Sequence, residues 1–174
     1  MSEDTSPAAV IDDDIIEKLY QLSQRYHGNG LYEPAIRLLE FLIRHDPVRA
    51  GFHFALGKAF HGRSQHREAV QSYRRALKLG LPEIDVHLYL GQCLIFSGRF
   101  VEAGTALRQF IGLAEAQAGQ ETLAQQVQGA HQLLDHIVMP RLQAAGGTRP
   151  PSGAAAPPPA GASARRHESL ESTS

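Results

Sequence analysis

Apolar residues fall on helical stripes over most of this chain. Ile15, Leu19, Leu22 and Tyr26 recur at spacings of three and four, which places them on one helix face. Asp12, Asp13 and Asp14 stand just ahead, where negative charge favours a helix N-terminus. His27-Gly28-Asn29-Gly30 breaks the stripe, because glycine and asparagine tolerate positive φ. A second stripe, Ile36, Leu39, Leu42 and Ile43, predicts a helix from Tyr32 to His45. Asp46-Pro47 closes it, since proline disfavours helix in the residue before it. The plan then recurs twice. Phe52 to His61 and His66 to Leu79 flank a turn at 62–65, with Gly80-Leu81-Pro82 as exit. Glu83 to Phe96 and Phe100 to about Ala116 flank Ser97-Gly98.

The recurrence has a fixed period. Leu56-Gly57, Ala69 and Ala76 return as Leu90-Gly91, Ala103 and Phe110, and step back to Leu22-Ser23, Ala35 and Leu42, each time by 34 residues. A 34-residue helix pair with small residues at set places is the mark of a tetratricopeptide repeat. The units are predicted at about 16–49, 50–83 and 84–117. A glycine inside a helix costs about 1 kcal/mol. Gly57 and Gly91 are therefore read as close crossings, with Ala69 and Ala103 on the facing helix. The turn glycines Gly30 and Gly98 also align, with Ser64 at the intervening position.

After the third unit, Leu123, Val127, Ala130, Leu134, Ile137 and Val138 give one apolar face. A repeat array leaves its last apolar face bare, and a helix over about 120–143 is expected to cap it. Pro140 is expected to kink that helix or end it near Met139. The predicted class is all-α: a solenoid of three helix hairpins plus a C-terminal capping helix. The repeat domain is set at 12–144. Residues 1–11 and the Ala/Pro-rich 145–174 are expected to be disordered, having too little apolar surface to offset ordering entropy.

Composition narrows the function. Apolar residues make up 43% of the 174, enough for one modest core. The net charge of −1 provides no field for nucleic acid or acidic lipid, so neither is an expected partner. The polar, acidic start is not a secretory signal, and no stretch reaches the roughly 20 apolar residues a membrane helix needs. A single cysteine, Cys93, excludes an intrachain disulfide. These features point to a soluble cytosolic protein.

The chain also lacks the marks of catalysis: no nucleophile elbow, phosphate loop or HExxH motif is present. No enzyme activity and no cofactor are expected. Cys93, inside a helix next to Gly91, reads as a small buried packing thiol. The nine histidines raise a metal question. His61 and His66 are five apart across a turn, and His131 and His136 five apart on a helix, whereas a helical metal pair prefers i, i+4. His53 and His87 are one repeat apart, which is a repeat effect. No metal site is expected on this spacing.

The expected site is the inner face. In this repeat the first helix of each unit lines the groove, and the inward stripe carries Tyr20, Gln24 and His27, then Phe54, Lys58 and His61, then Leu88 and Gln92, flanked by Tyr89. Aromatic and aliphatic anchors beside a few polar groups suit an extended peptide.

Leu19-Tyr20-Gln21-Leu22, Gly30 to Ala35, Phe52 to Gly57 and Ala69 to Tyr73 together resemble the class II chaperones of bacterial type III secretion. The resemblance covers roughly 12–140. It implies a non-enzymatic chaperone of the bacterial cytoplasm that holds secreted hydrophobic translocators, taking an extended cargo segment in its groove. At matching positions Tyr20, Gln24, His27, Phe54, Lys58, His61, Leu88, Tyr89 and Gln92 would line that groove. Family members carry an additional helix ahead of the first repeat, often used in dimerisation. Here the first repeat starts near residue 16, so that helix looks absent and a homodimer stays open. The alternative is a generic repeat adaptor or assembly scaffold. An adaptor for acidic chaperone tails is disfavoured, because Asp85 would repel a carboxylate.

Overall fold

The computed structural model describes residues 12–81, 84–117 and 121–146. The disorder expected at 1–11 and over most of 145–174 lies outside them. Among the described residues eight α-helices follow in order: α1 (Asp13–Gly28), α2 (Tyr32–His45), α3 (Ala50–Gly62), α4 (His66–Lys78), α5 (Asp85–Phe96), α6 (Phe100–Ala116), α7 (Glu121–Leu133) and α8 (Met139–Gly146). No strand occurs among the described residues. Three hairpins, α1–α2, α3–α4 and α5–α6, stack through α2 on α3 and α4 on α5. Helix α7 then covers α6, as a capping helix should.

Each hairpin is punctuated in the same way. Asp12 caps α1, its carboxylate accepting from the Asp14 N–H at 3.0 Å. The turns after α1, α3 and α5 place Gly30, Ser64 and Gly98 at φ of 74°, 61° and 73°. Ser64 carries a side chain into the left-handed region, which costs about 1–2 kcal/mol. The aligned position noted in the sequence is thus one conformation used three times.

The two helix-interior glycines mark close crossings. A Cβ on Gly57 would lie 2.6 Å from carbons of the Tyr73 ring, and one on Gly91 would lie 2.7 Å from Leu107 Cδ2. The expected opposite numbers, Ala69 and Ala103, are fully buried, but the nearest facing groups are the next turn's Tyr73 and Leu107. Absence of a Cβ thus makes room for a large neighbour as well as for close helix axes.

Two apolar clusters result. Ile16, Ala35, Ile36, Leu39, Leu42, Phe52, Leu56 and Ala59 form the first. The second runs from Phe54 and Tyr73 through Leu94 and Leu107 to Val138. Phe60 packs against both. Burying a side chain of this size contributes about 1.5–3 kcal/mol.

Pro140 does not end the closing helix. Residues Leu134–Val138 widen into a π-helical turn, with the Met139 N–H donating to the Leu134 carbonyl, and α8 continues beyond. A proline ring crowds the carbonyl four residues back and donates no hydrogen bond. The wide turn lies where that crowding falls, and it returns Leu134 and Val138 to the core.

Candidate peptide-binding groove

Helices α1, α3 and α5 lie side by side and form one wall of the array. A cavity of about 240 Å³ opens between α1 and α3, lined by Tyr20, Ser23, Gln24, His27, Leu39, Phe54, Ala55 and Lys58. A second, of about 300 Å³, continues towards α5 and is lined by His27, Lys58, His61, Gly62, Tyr73 and Tyr89. His27 and Lys58 belong to both, so the two form one trough.

Seven of the nine expected residues meet here: Tyr20, Gln24, His27, Phe54, Lys58, His61 and Tyr89. The other two do not. Leu88 is 7% exposed and belongs to the second core cluster, while the half-buried Gln92 lines neither cavity. The repeat's helical stripe put Leu88 on the inner face; in α5 it is instead buried within the second core cluster. Phe54 is also 8% exposed, so it serves as floor more than as an open anchor. Ser23, Leu39, Gly62 and Tyr73 were not foreseen as lining residues. Ser23 and Leu39 are buried wall residues, and Tyr73 reaches the trough from a second helix. Only the tertiary fold discloses that.

The floor is aromatic. Tyr73 and Tyr89 stack at 6.1 Å with a 19° tilt, and Phe54 lies 5.9 Å from the first and 6.1 Å from the second. Lys58 Nζ stands 5.6 Å over the Phe54 ring, a cation–π distance. At the α1 end, Tyr20 packs on Phe52 at 5.1 Å and its hydroxyl donates to the Gly51 carbonyl at 3.3 Å. Arg49 lies 4.7 Å over Phe52 and pairs with Glu17 at 2.7 Å.

Electrostatics follow from partial burial. Burial, and then the charge of Lys58, lowers the His27 pKa from its ordinary 6.5. Burial lowers that of His61 too, helped by His66 and His27. Near neutral pH both imidazoles are therefore neutral, and each offers one donor and one acceptor. The Tyr73 hydroxyl is buried without a hydrogen-bond partner, and burial raises its pKa. Burial also pushes the Cys93 thiol up to about 12, which makes it a poor nucleophile. The trough holds apolar rings with neutral or cationic polar groups at their edges. That arrangement suits binding of a chain segment and contains no nucleophile–base pair.

The family model for the tetratricopeptide repeat matches residues 20–80 and 62–120. The chain belongs to the tetratricopeptide repeat family. Among curated proteins it is similar to the low calcium response locus protein H of Yersinia pestis, 27% identical over 97 residues, 56% of this chain and 58% of that protein. The match thus spans less than two thirds of that relative's length. Among solved structures it is similar in fold to the type III secretion translocator chaperone SycD of Yersinia enterocolitica. The TM-score is 0.67 at 23% identity, covering 78% of this chain and 89% of SycD. It is similar also to PcrH, a Pseudomonas aeruginosa protein, solved in complex with the chaperone binding region of PopD. There the TM-score is 0.65 at 20% identity, over 73% of this chain and 93% of that one. Among the described residues no helix is long and apolar enough to cross a membrane.

Proposed function

We propose that this protein is a non-enzymatic chaperone of a type III secretion system, acting in the bacterial cytoplasm. Its cargo is a hydrophobic translocator protein, which it holds by an extended segment lying in the trough between α1, α3 and α5. The observation that carries this reading is the continuous aromatic-floored trough on the first-helix wall. Its fold relative PcrH was solved with the chaperone binding region of PopD. Tyr20, Gln24, His27, Phe54, Lys58, His61 and Tyr89 are the proposed contacts, while Leu88 and Gln92 act behind the wall or at its end. The physical task is simple. An exposed apolar segment drives aggregation or premature membrane insertion, and covering it removes that drive.

The test is co-purification of a co-expressed translocator protein with the Ala55→Trp variant. Ala55 is half-buried and lines the first cavity, so an indole there takes up the space without adding charge. The expected result is loss of cargo with helical circular dichroism unchanged. Undiminished co-purification would refute the groove assignment. Phe54→Glu is unsuitable for this purpose, because a carboxylate at so buried a position would unfold the second core cluster.

A further inference from the structure

Beside the trough, the fold assembles a cluster that no repeat position predicts. One ring nitrogen of His61, one of His66 and the Cys93 sulfur lie within 4.8 Å of one another. We propose that these three side chains bind a divalent transition-metal ion of the zinc class.

Their placement is built into the hairpin. His61 is in the last turn of α3, His66 opens α4, and Cys93 faces them from α5. The connection between the histidines is tight: the Ser64 N–H donates to the His61 carbonyl and the Gln65 N–H to that of Phe60, both at 2.9 Å. The rings are steadied by Tyr89, 6.1 Å from His61, and by Phe96, stacked 4.4 Å from His66. His66 Nδ1 and Gln65 Oε1 are buried there without a hydrogen-bond partner. Buried polar atoms are ordinarily satisfied, and an imidazole nitrogen left without a protein partner beside two other donors fits a metal ligand.

The donor set selects the ion. Two imidazoles and a thiolate suit zinc and its late-transition neighbours, whereas calcium and magnesium require oxygen ligands. Around a tetrahedral zinc, such atoms sit roughly 3.3–3.6 Å apart. The three donors stand within 4.8 Å of one another, so reaching that spacing requires the two half-buried histidine rings to turn towards the sulfur. His61 lines the trough and His66 the shallow hollow with Ser64, Phe96 and Ser97, so the ion has an approach. Binding converts the thiol to a metal thiolate and releases one proton to solvent, while a water fills the fourth position.

The test is titration of the metal-free full-length protein with Co²⁺, followed by Zn²⁺. One equivalent of cobalt should produce a thiolate-to-metal charge-transfer band in the near ultraviolet, which zinc then bleaches. Cys93→Ala should abolish the band. His61→Gln and His66→Gln should each weaken binding by more than about tenfold, as ligand loss exceeds the usual outer-shell effect. His131→Gln, outside the cluster, should change nothing. The readout is optical and independent of cargo, so the groove reading and this site fail separately. No thiolate band in the wild type would overturn the proposal. So would a band retained at full affinity by both folded histidine variants, which circular dichroism identifies as folded.

Discussion

Among the described residues the first cluster holds eight buried apolar residues and the second nineteen, so the two parts of the described solenoid are anchored unequally. Helix α1 contributes only Ile16 and Ser23 to the interior, while α6 contributes Ala103, Gly104, Ala106, Leu107, Phe110, Ile111 and Ala114. The trough lies at the junction. Its α1 wall, with Tyr20, Gln24 and His27, is lightly held, and its floor of Phe54, Tyr73 and Tyr89 belongs to the well-packed end or packs directly on it. Segments with few buried contacts open locally at low free energy. On the proposed reading, one compliant wall and one firm floor would let the trough take guests of varied side chains while keeping its aromatic platform in place.

Three experiments break or sharpen this contrast. Leu107→Ala should have the largest effect, about 3 kcal/mol, since the residue is fully buried and fills the space against Gly91. It should lower global stability in denaturant titration. Ile16→Ala should cost somewhat less, about 2 kcal/mol, and act locally. Hydrogen exchange is expected to accelerate in α1 and leave α5 to α7 protected, and uniform acceleration would mean that the ends are not distinct. Next in size, Ser64→Gly should stabilise by about 1 kcal/mol, because glycine relieves the left-handed backbone at the central turn. A raised thermal midpoint checks it.

The smallest effect expected is that of pH. His27, His61 and His87 all have pKa values held below the ordinary 6.5, chiefly by burial. The unfolded chain therefore takes up protons first as pH falls below about 6.5, and the native state does not. Stability present at neutral pH should decline through that window and level off once the native pKa values are passed. A melting series in chelator-containing buffer from about pH 7.5 to 5.5 should show the decline. It should be shallower in His87→Gln, a site away from both cavities.

The helices and their order were legible because a period of 34 residues repeats its own evidence three times. Tyr32–His45 was bounded at both ends by local chemistry, and the turn at Ser64 by its alignment with two glycines. The trough was mostly legible, since helical spacing assigns faces. It did not show that Leu88 and Phe54 are both buried, because spacing cannot say how far neighbouring helices cover a stripe. The widened turn ahead of Pro140 was invisible, as it answers a steric demand that two different backbone paths satisfy. The cluster at Cys93 was invisible for another reason. His61 and Cys93 are 32 residues apart, and only stacking of successive hairpins makes them neighbours.

The tyrosines of the trough have a practical consequence. The chain contains five tyrosines and no tryptophan, and Tyr20, Tyr73 and Tyr89 all line the cavities. Its ultraviolet emission is therefore weighted towards the one surface assigned to guests. A guest peptide bearing an indole would draw off that emission by resonance energy transfer on docking, so the native chain carries its own occupancy gauge without any attached dye.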